Sequence, residues 1–170
     1  MRWWVKRGGL AGLVVGVVAA VVGFSQRSRV AVDMIIQAPS PAYTPMDSPA
    51  DVDDAVEVER AGARVRAWVL DPEGEARGTL LLLHGIRDSK TSLLDTARAR
   101  ARDGLRTVVV DSRGHGESSG QFLTYGVEEA RDLRALVDEL DRRDLLVLPL
   151  GVQGTSYGAA TAIQYAAIDE

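Results

Sequence analysis

The sequence predicts an α/β domain built on a parallel sheet, set behind an N-terminal membrane-spanning helix. Three observations carry this reading. Thr79–Leu83 and Thr107–Val110 are continuous apolar runs with glycine nearby, as expected of strands covered on both faces. Between them, Thr91–Arg102 places Leu93, Leu94, Ala97 and Ala101 on one helical face, which completes a strand–helix–strand unit. Leu10–Phe24 carries no charge at all, and with Gly8 and Gly9 the uncharged run reaches 17 residues, near the lower end of the about 17–25 that span a bilayer.

The elements follow in chain order. Residues 1–25 read as a membrane anchor, because Arg2, Lys6 and Arg7 precede the apolar run and Trp3-Trp4 stand at its mouth, which puts the basic end in the cytoplasm and the rest of the chain outside it. The residues after the run lack a convincing A-x-A-like cleavage site, so an uncleaved single-pass anchor is expected, with a cleaved signal and a secreted product as the alternative. Gly8, Gly12, Gly16 and Ala20 recur on one helical face, a stripe that would let two such helices pair into a homodimer; small residues are also simply common in spanning helices. Residues 26–54 hold four of the six prolines and an acidic cluster at Asp51, Asp53 and Asp54, and are expected to form a linker. Residues 55–170 are expected to form the folded domain, opening with a hairpin of Val56–Glu59 and Val65–Leu70 around Ala61-Gly62. Val127–Leu140 carries an apolar stripe with Glu128-Glu129 at its start and Arg142-Arg143 just past its end, which suits a helix dipole. Pro149 cannot donate to a central ladder, so the next strand is confined to Leu150–Gly154. Tyr157–Ile168 is small and apolar nearly all round and is expected to be a buried helix.

Composition removes several function classes. Twenty Lys+Arg against 24 Asp+Glu give a net charge of -4, so there is no excess positive field to hold a nucleic-acid backbone. With no cysteine, disulfides, thiolate zinc sites and a Cys nucleophile are excluded. No G-x-x-x-x-G-K-[ST] occurs, and no cofactor is expected. His84, Asp111, His115 and Glu117 all fall at strand ends, but without H-E-x-x-H or comparable ligand spacing, so no metal site is expected.

Three motifs sit at those strand ends. Gly154-Thr155-Ser156-Tyr157-Gly158 is a G-x-S-x-G between strand and helix, where flanking glycines permit the sharp turn that exposes a serine hydroxyl. His84-Gly85-Ile86 follows Leu80–Leu83, where the backbone N–H of Ile86 could join that of Tyr157 to receive a developing oxyanion. Asp111-Ser112-Arg113-Gly114-His115-Gly116-Glu117-Ser118 again follows a strand, its glycines letting the chain fold tightly beside the site.

Together LLLHG, DSRGHGESSG and GTSYG resemble the α/β-hydrolase superfamily in order and spacing, from about Val56 to the C-terminus. The anchor and the YGVEEARDL stretch look most like membrane-tethered serine hydrolases of the Bem46/YqkD-like and serine-aminopeptidase-like kind. The resemblance implies an α/β-hydrolase fold truncated after the nucleophile-elbow helix, with Ser156 as nucleophile and the Ile86 and Tyr157 amides as oxyanion hole. It further implies structural roles for His84, Gly85, Asp111, Gly114, His115, Gly116, Gly154 and Gly158. The expected substrate is a small-molecule or peptide acyl compound, an ester, thioester or peptide. In this superfamily the acid and the histidine follow the nucleophile, yet both His84 and His115 precede Ser156, and Asp169 and Glu170 read as a solvated terminus. The 170-residue chain is therefore expected to be inactive by itself, and a non-catalytic binding module on the same scaffold is the alternative.

Overall fold

The computed structural model describes residues 3–37 and 47–168, the side chains of residues 3–15, 30 and 34–36 excepted. It divides into two units, the N-terminal helix up to Gln37 and the body that follows.

Helix α1 runs Trp3–Ile36. It continues through residues 26–36, where a linker was expected, because that stretch holds no proline until Pro39 and its Arg, Val and Ala residues are compatible with a helix. Among the described residues no helix is long and apolar enough to cross a membrane. The first part of the apolar run, with Gly8 and Gly12 of the small-residue stripe, falls on side chains outside the described residues. Within the described part, Val17, Val18, Val21, Val22 and Phe24 are exposed.

The body is one five-stranded sheet in the order β1-β2-β4-β3-β5, from β1 Asp54–Arg60, β2 Ala63–Leu70, β3 Thr79–Leu83, β4 Arg106–Asp111 and β5 Leu150–Gly154. The β1–β2 hairpin turns on Ala61 and Gly62, both at positive φ. β2 runs antiparallel to β4, whereas β3, β4 and β5 are mutually parallel, with Leu83 paired to Val110 on one side and Gly154 on the other. The carboxyl ends of the three parallel strands therefore converge, at the place where ligands bind in open α/β sheets.

Alternation along the strands sorts the core into two layers. Leu81, Leu83, Val108 and Val110 face helix α3, Val127–Arg142, whose Leu133, Leu136, Val137 and Leu140 complete the larger cluster. Leu82, Val109 and Trp68 face the opposite side, against Leu94 and Ala97 of helix α2, Leu94–Arg102. Each fully buried leucine of this kind stabilises the fold by roughly 1.5–3 kcal/mol. The expected helix from Thr91 is split. Lys90–Leu93 form a 3-10 turn and the α-helix begins only at Leu94, because Lys90 is drawn inward.

Helix α4, Tyr157–Ile168, has the expected bounds but not the expected burial. Tyr157, Gly158, Thr161 and Tyr165 are buried, whereas Ile163 is 70% and Ile168 46% exposed. An all-round apolar composition leaves the number of covered faces open, and among the described residues only the face toward the sheet and α3 is covered.

Candidate active site

Ser156 stands in the turn between β5 and α4 and is exposed, with φ +52, a left-handed conformation that costs a residue with a Cβ. The surrounding glycines are required by contact. A Cβ on Gly154 would lie 2.3 Å from the Gly158 carbonyl carbon, and one on Gly158 would lie 2.5 Å from the Leu83 carbonyl oxygen. No side chain fits either gap, so the elbow closes directly on the end of β3, where the Thr155 N–H also donates to Leu83 O at 3.1 Å. Tyr157 opens α4, so its N–H is in the first turn, where no intrahelical acceptor exists.

The loop after β3 meets this turn. A Cβ on Gly85 would lie 3.9 Å from Ser156 Cβ, so the chain carrying the Ile86 amide runs past the nucleophile position, with the Ile86 side chain exposed. His84 holds the loop from below. Its Nδ1 bonds Gly85 O at 2.7 Å and its Nε2 accepts the Ser112 N–H at 3.2 Å, which assigns the neutral Nδ1–H tautomer. Burial lowers the His84 pKa below its ordinary value, consistent with that neutral ring.

His115 is also buried and held by its Nδ1 on Arg113 O at 2.9 Å. Burial lowers its pKa against the pull of that carbonyl, and its Nε2 has no partner among the described residues. Its ring lies 4.9 Å from the His84 ring and 5.3 Å from that of Tyr157, tilted by 60° and 39°, and makes no bond to Ser156. Of the four residues weighed as metal ligands, Asp111 and Glu117 face Lys90, and among the described residues no group of His, Asp and Glu could hold a metal ion.

Asp111 is fully buried and organises the third loop. Its carboxylate accepts Lys90 N–H, Lys90 Nζ and Glu117 N–H at 2.7, 2.6 and 2.8 Å. Gly116, at φ +52, is glycine because a Cβ there would lie 2.2 Å from that carboxylate. Gly114 is likewise at positive φ, +70, and turns the chain so that Arg113 reaches the buried Asp132 of α3 through two bonds of 2.6 and 2.8 Å. The Asp132 partnership raises the Arg113 pKa.

Sequence reasoning missed three of these groups: Lys90, Asp132 and Glu129. Glu129 accepts the Tyr157 hydroxyl at 2.7 Å, Thr124 Oγ1 at 2.5 Å and Gly126 N–H at 2.7 Å, and so ties the elbow to the start of α3. Burial works to raise its carboxyl, but the bonds from Thr124 and Tyr157 prevail and its pKa lies below the usual range. Burial first, then the adjacent Glu129, pushes the Tyr157 phenol up. Asp169 and Glu170 lie outside the described residues. An open cleft between Asp71, Arg98 and Arg102 lies at the opposite ends of the strands and touches none of these groups.

Residues 74–170 match the family described as serine aminopeptidase, S33. Among curated proteins, the monoacylglycerol lipase of Mycolicibacterium smegmatis is 32% identical over 108 residues, covering 62% of this chain and 38% of the lipase. The uncharacterized protein YqkD of Bacillus subtilis is 28% identical over 105 residues, covering 62% of this chain and 34% of that protein. The chain thus spans about a third of the length of these relatives. Among solved structures, the Pyrococcus furiosus esterase Pf2001 superposes with a TM-score of 0.63 at 26% identity, over 73% of this chain and 51% of the esterase. An α/β serine hydrolase homologue from Coxiella burnetii gives 0.58 over 72% of this chain and 61% of its own, at 23% identity, which speaks for the fold alone.

Proposed function

The chain belongs to the serine aminopeptidase S33 family of α/β hydrolases, and on that premise we propose that it supplies the nucleophile half of a serine hydrolase acting on carboxylic esters. The observation that carries the proposal is Ser156, exposed at φ +52 beside the Gly85–Ile86 backbone and at the N-terminus of α4. In the proposed cycle Ser156 Oγ attacks the acyl carbon, and its proton passes to a base. The carbonyl oxygen becomes an oxyanion facing the Ile86 and Tyr157 N–H groups, and the alcohol leaves as the acyl-Ser156 forms. Water then reverses the sequence and releases the acid.

The proposed base is neither His84, whose two nitrogens already bond backbone groups, nor His115, which is buried with Nδ1 on Arg113 O and makes no bond to Ser156. Without the base, serine hydrolases lose about 10⁶-fold in kcat, so residues 1–170 alone turn over little or no ester. The esterase and lipase among the relatives favour an ester over a thioester or peptide. Measuring p-nitrophenyl ester turnover by the product of the complete source gene tests this: Ser156→Ala is expected to remove it, turnover that survives Ser156→Ala overturns the reading in favour of another nucleophile, and a folded product with no turnover overturns it in favour of a binding module.

The same proposal places the body outside the cytoplasm on a membrane tether. The uncharged run behind Arg2, Lys6 and Arg7 supports this, as do the exposed Val17, Val18, Val21, Val22 and Phe24, an apolar surface suited to lipid.

A further inference from the structure

The loop that carries Ile86 is fastened at both ends to one and the same segment. At its start His84 Nε2 accepts from Ser112 N–H. At its end Lys90 donates from its backbone N–H to Asp111 Oδ1 and from Nζ to Asp111 Oδ2 and Glu117 Oε2, at 2.7, 2.6 and 2.7 Å. The exposed span Ile86–Asp88 is what lies between the two anchors.

Lys90 is an unusual choice for a surface loop, being fully buried with its ammonium 4.2 Å from the centre of the Trp68 ring. It is the only lysine in residues 47–168, a stretch that otherwise uses 14 arginines for positive charge. Its compact ammonium sits between the Asp111 and Glu117 carboxylates and the Trp68 indole face. This buried cation closes the loop that runs past the nucleophile position.

We propose that Lys90 is a positioning residue that holds the oxyanion loop in register with Ser156, an inference that rests on the reading of Ile86 as an oxyanion donor. Lys90 touches no substrate. Through Asp111 and Glu117 it fixes the far end of the loop, so that the Ile86 N–H points to one place before the oxyanion forms. Losing Nζ frees that end, and the looseness travels along the loop to the His84 anchor.

Two variants separate positioning from bulk stability. Lys90→Met keeps the side-chain stem, and Lys90→Met/Asp111→Asn removes both fully buried charges, leaving Glu117 at 18% exposure as the one carboxylate without its cation, if the single variant does not fold. Glu117→Ala, which removes one Nζ acceptor at a partly exposed site, is read in the same way if neither folds. The first readout is amide exchange in residues 1–170. The Ser112 N–H, which His84 Nε2 accepts one residue past Asp111, is expected to exchange about tenfold faster, with Leu82 and Val109 in the strands unchanged. The second is ester kinetics of the complete gene product, where kcat is expected to fall about 10–10²-fold with KM unmoved, as for a contact made only in the transition state. Unchanged Ser112 exchange in a folded variant overturns the proposal. So does exchange that accelerates equally everywhere, or a raised KM with kcat intact. Amide exchange does not require Ser156 to react, so a complete gene product that turns over no ester refutes the hydrolase reading, while the Ser112 exchange still decides whether Lys90 fastens the loop.

Discussion

Replacing Ser156 by glycine should make the protein more stable than replacing it by alanine, the reverse of the usual order. At an ordinary position glycine is less stable than alanine by roughly 0.5–1 kcal/mol, because its unfolded chain has more freedom to lose. Ser156 is not an ordinary position: at φ +52 any residue with a Cβ carries a cost of about 1–2 kcal/mol that glycine escapes. Both variants lack the hydroxyl, so whatever Oγ contributes cancels between them. The difference is a net gain of about 0.75 kcal/mol at the middle of the two ranges, and at most about 1.5 kcal/mol, for Ser156→Gly over Ser156→Ala. Urea unfolding followed by circular dichroism reads this directly. With an m-value of about 2 kcal/mol/M, the Ser156→Gly midpoint should lie about 0.4 M above that of Ser156→Ala. A Ser156→Gly midpoint below that of Ser156→Ala would refute the claim that the elbow stores backbone strain. The strain is worth keeping only if the hydroxyl must project from the turn, so the comparison links a stability measurement to the proposed chemistry.

Acid should destabilise the fold before its carboxylates titrate. His84 and His115 have pKa values lowered by burial, so both bind protons more readily when unfolded; their contribution is fully present above about pH 6.5 and declines as pH falls from there toward the folded values. Each histidine can add up to about 1.4 kcal/mol of loss per pH unit in that window, checked by urea midpoints at pH 7.5, 6.5 and 5.5; a stability that is flat or rises over that range contradicts the tautomer and burial assigned here. The proposed tether predicts that the protein stays in the membrane pellet after alkaline carbonate extraction, and release to the supernatant would dismiss it.

The parts of this protein that can be read from its sequence are those whose cause is local. β3, β5 and α4 have the bounds expected of them, because continuous apolar runs with glycines nearby and the G-x-S-x-G turn mark their own ends. The position of the turn that holds Ser156 between β5 and α4 is legible for the same reason. Contacts that join distant positions are not. Lys90 pairs with Asp111 across 21 positions, Arg113 with Asp132 across 19 and Tyr157 with Glu129 across 28, and each reads in sequence as a solvated charge or a helix-end residue. The one available signal was composition: a single lysine in a body that otherwise uses arginine. The split at Lys90–Leu93 follows from the same buried pair, since apolar periodicity cannot register a lysine pulled under the loop. The exposed outer face of α4 escaped prediction because small apolar residues look alike whether one side of a helix is covered or all of them.

The most direct measurement of the central claim is the mass of the protein after treatment with a fluorophosphonate, made on the complete gene product and followed by peptide mapping. If Ser156 is the activated nucleophile, one phosphonyl group is added, it maps to the Gly154–Gly158 peptide, and Ser156→Ala abolishes it. Labelling at another residue, or no labelling of a folded protein that hydrolyses esters, would contradict it.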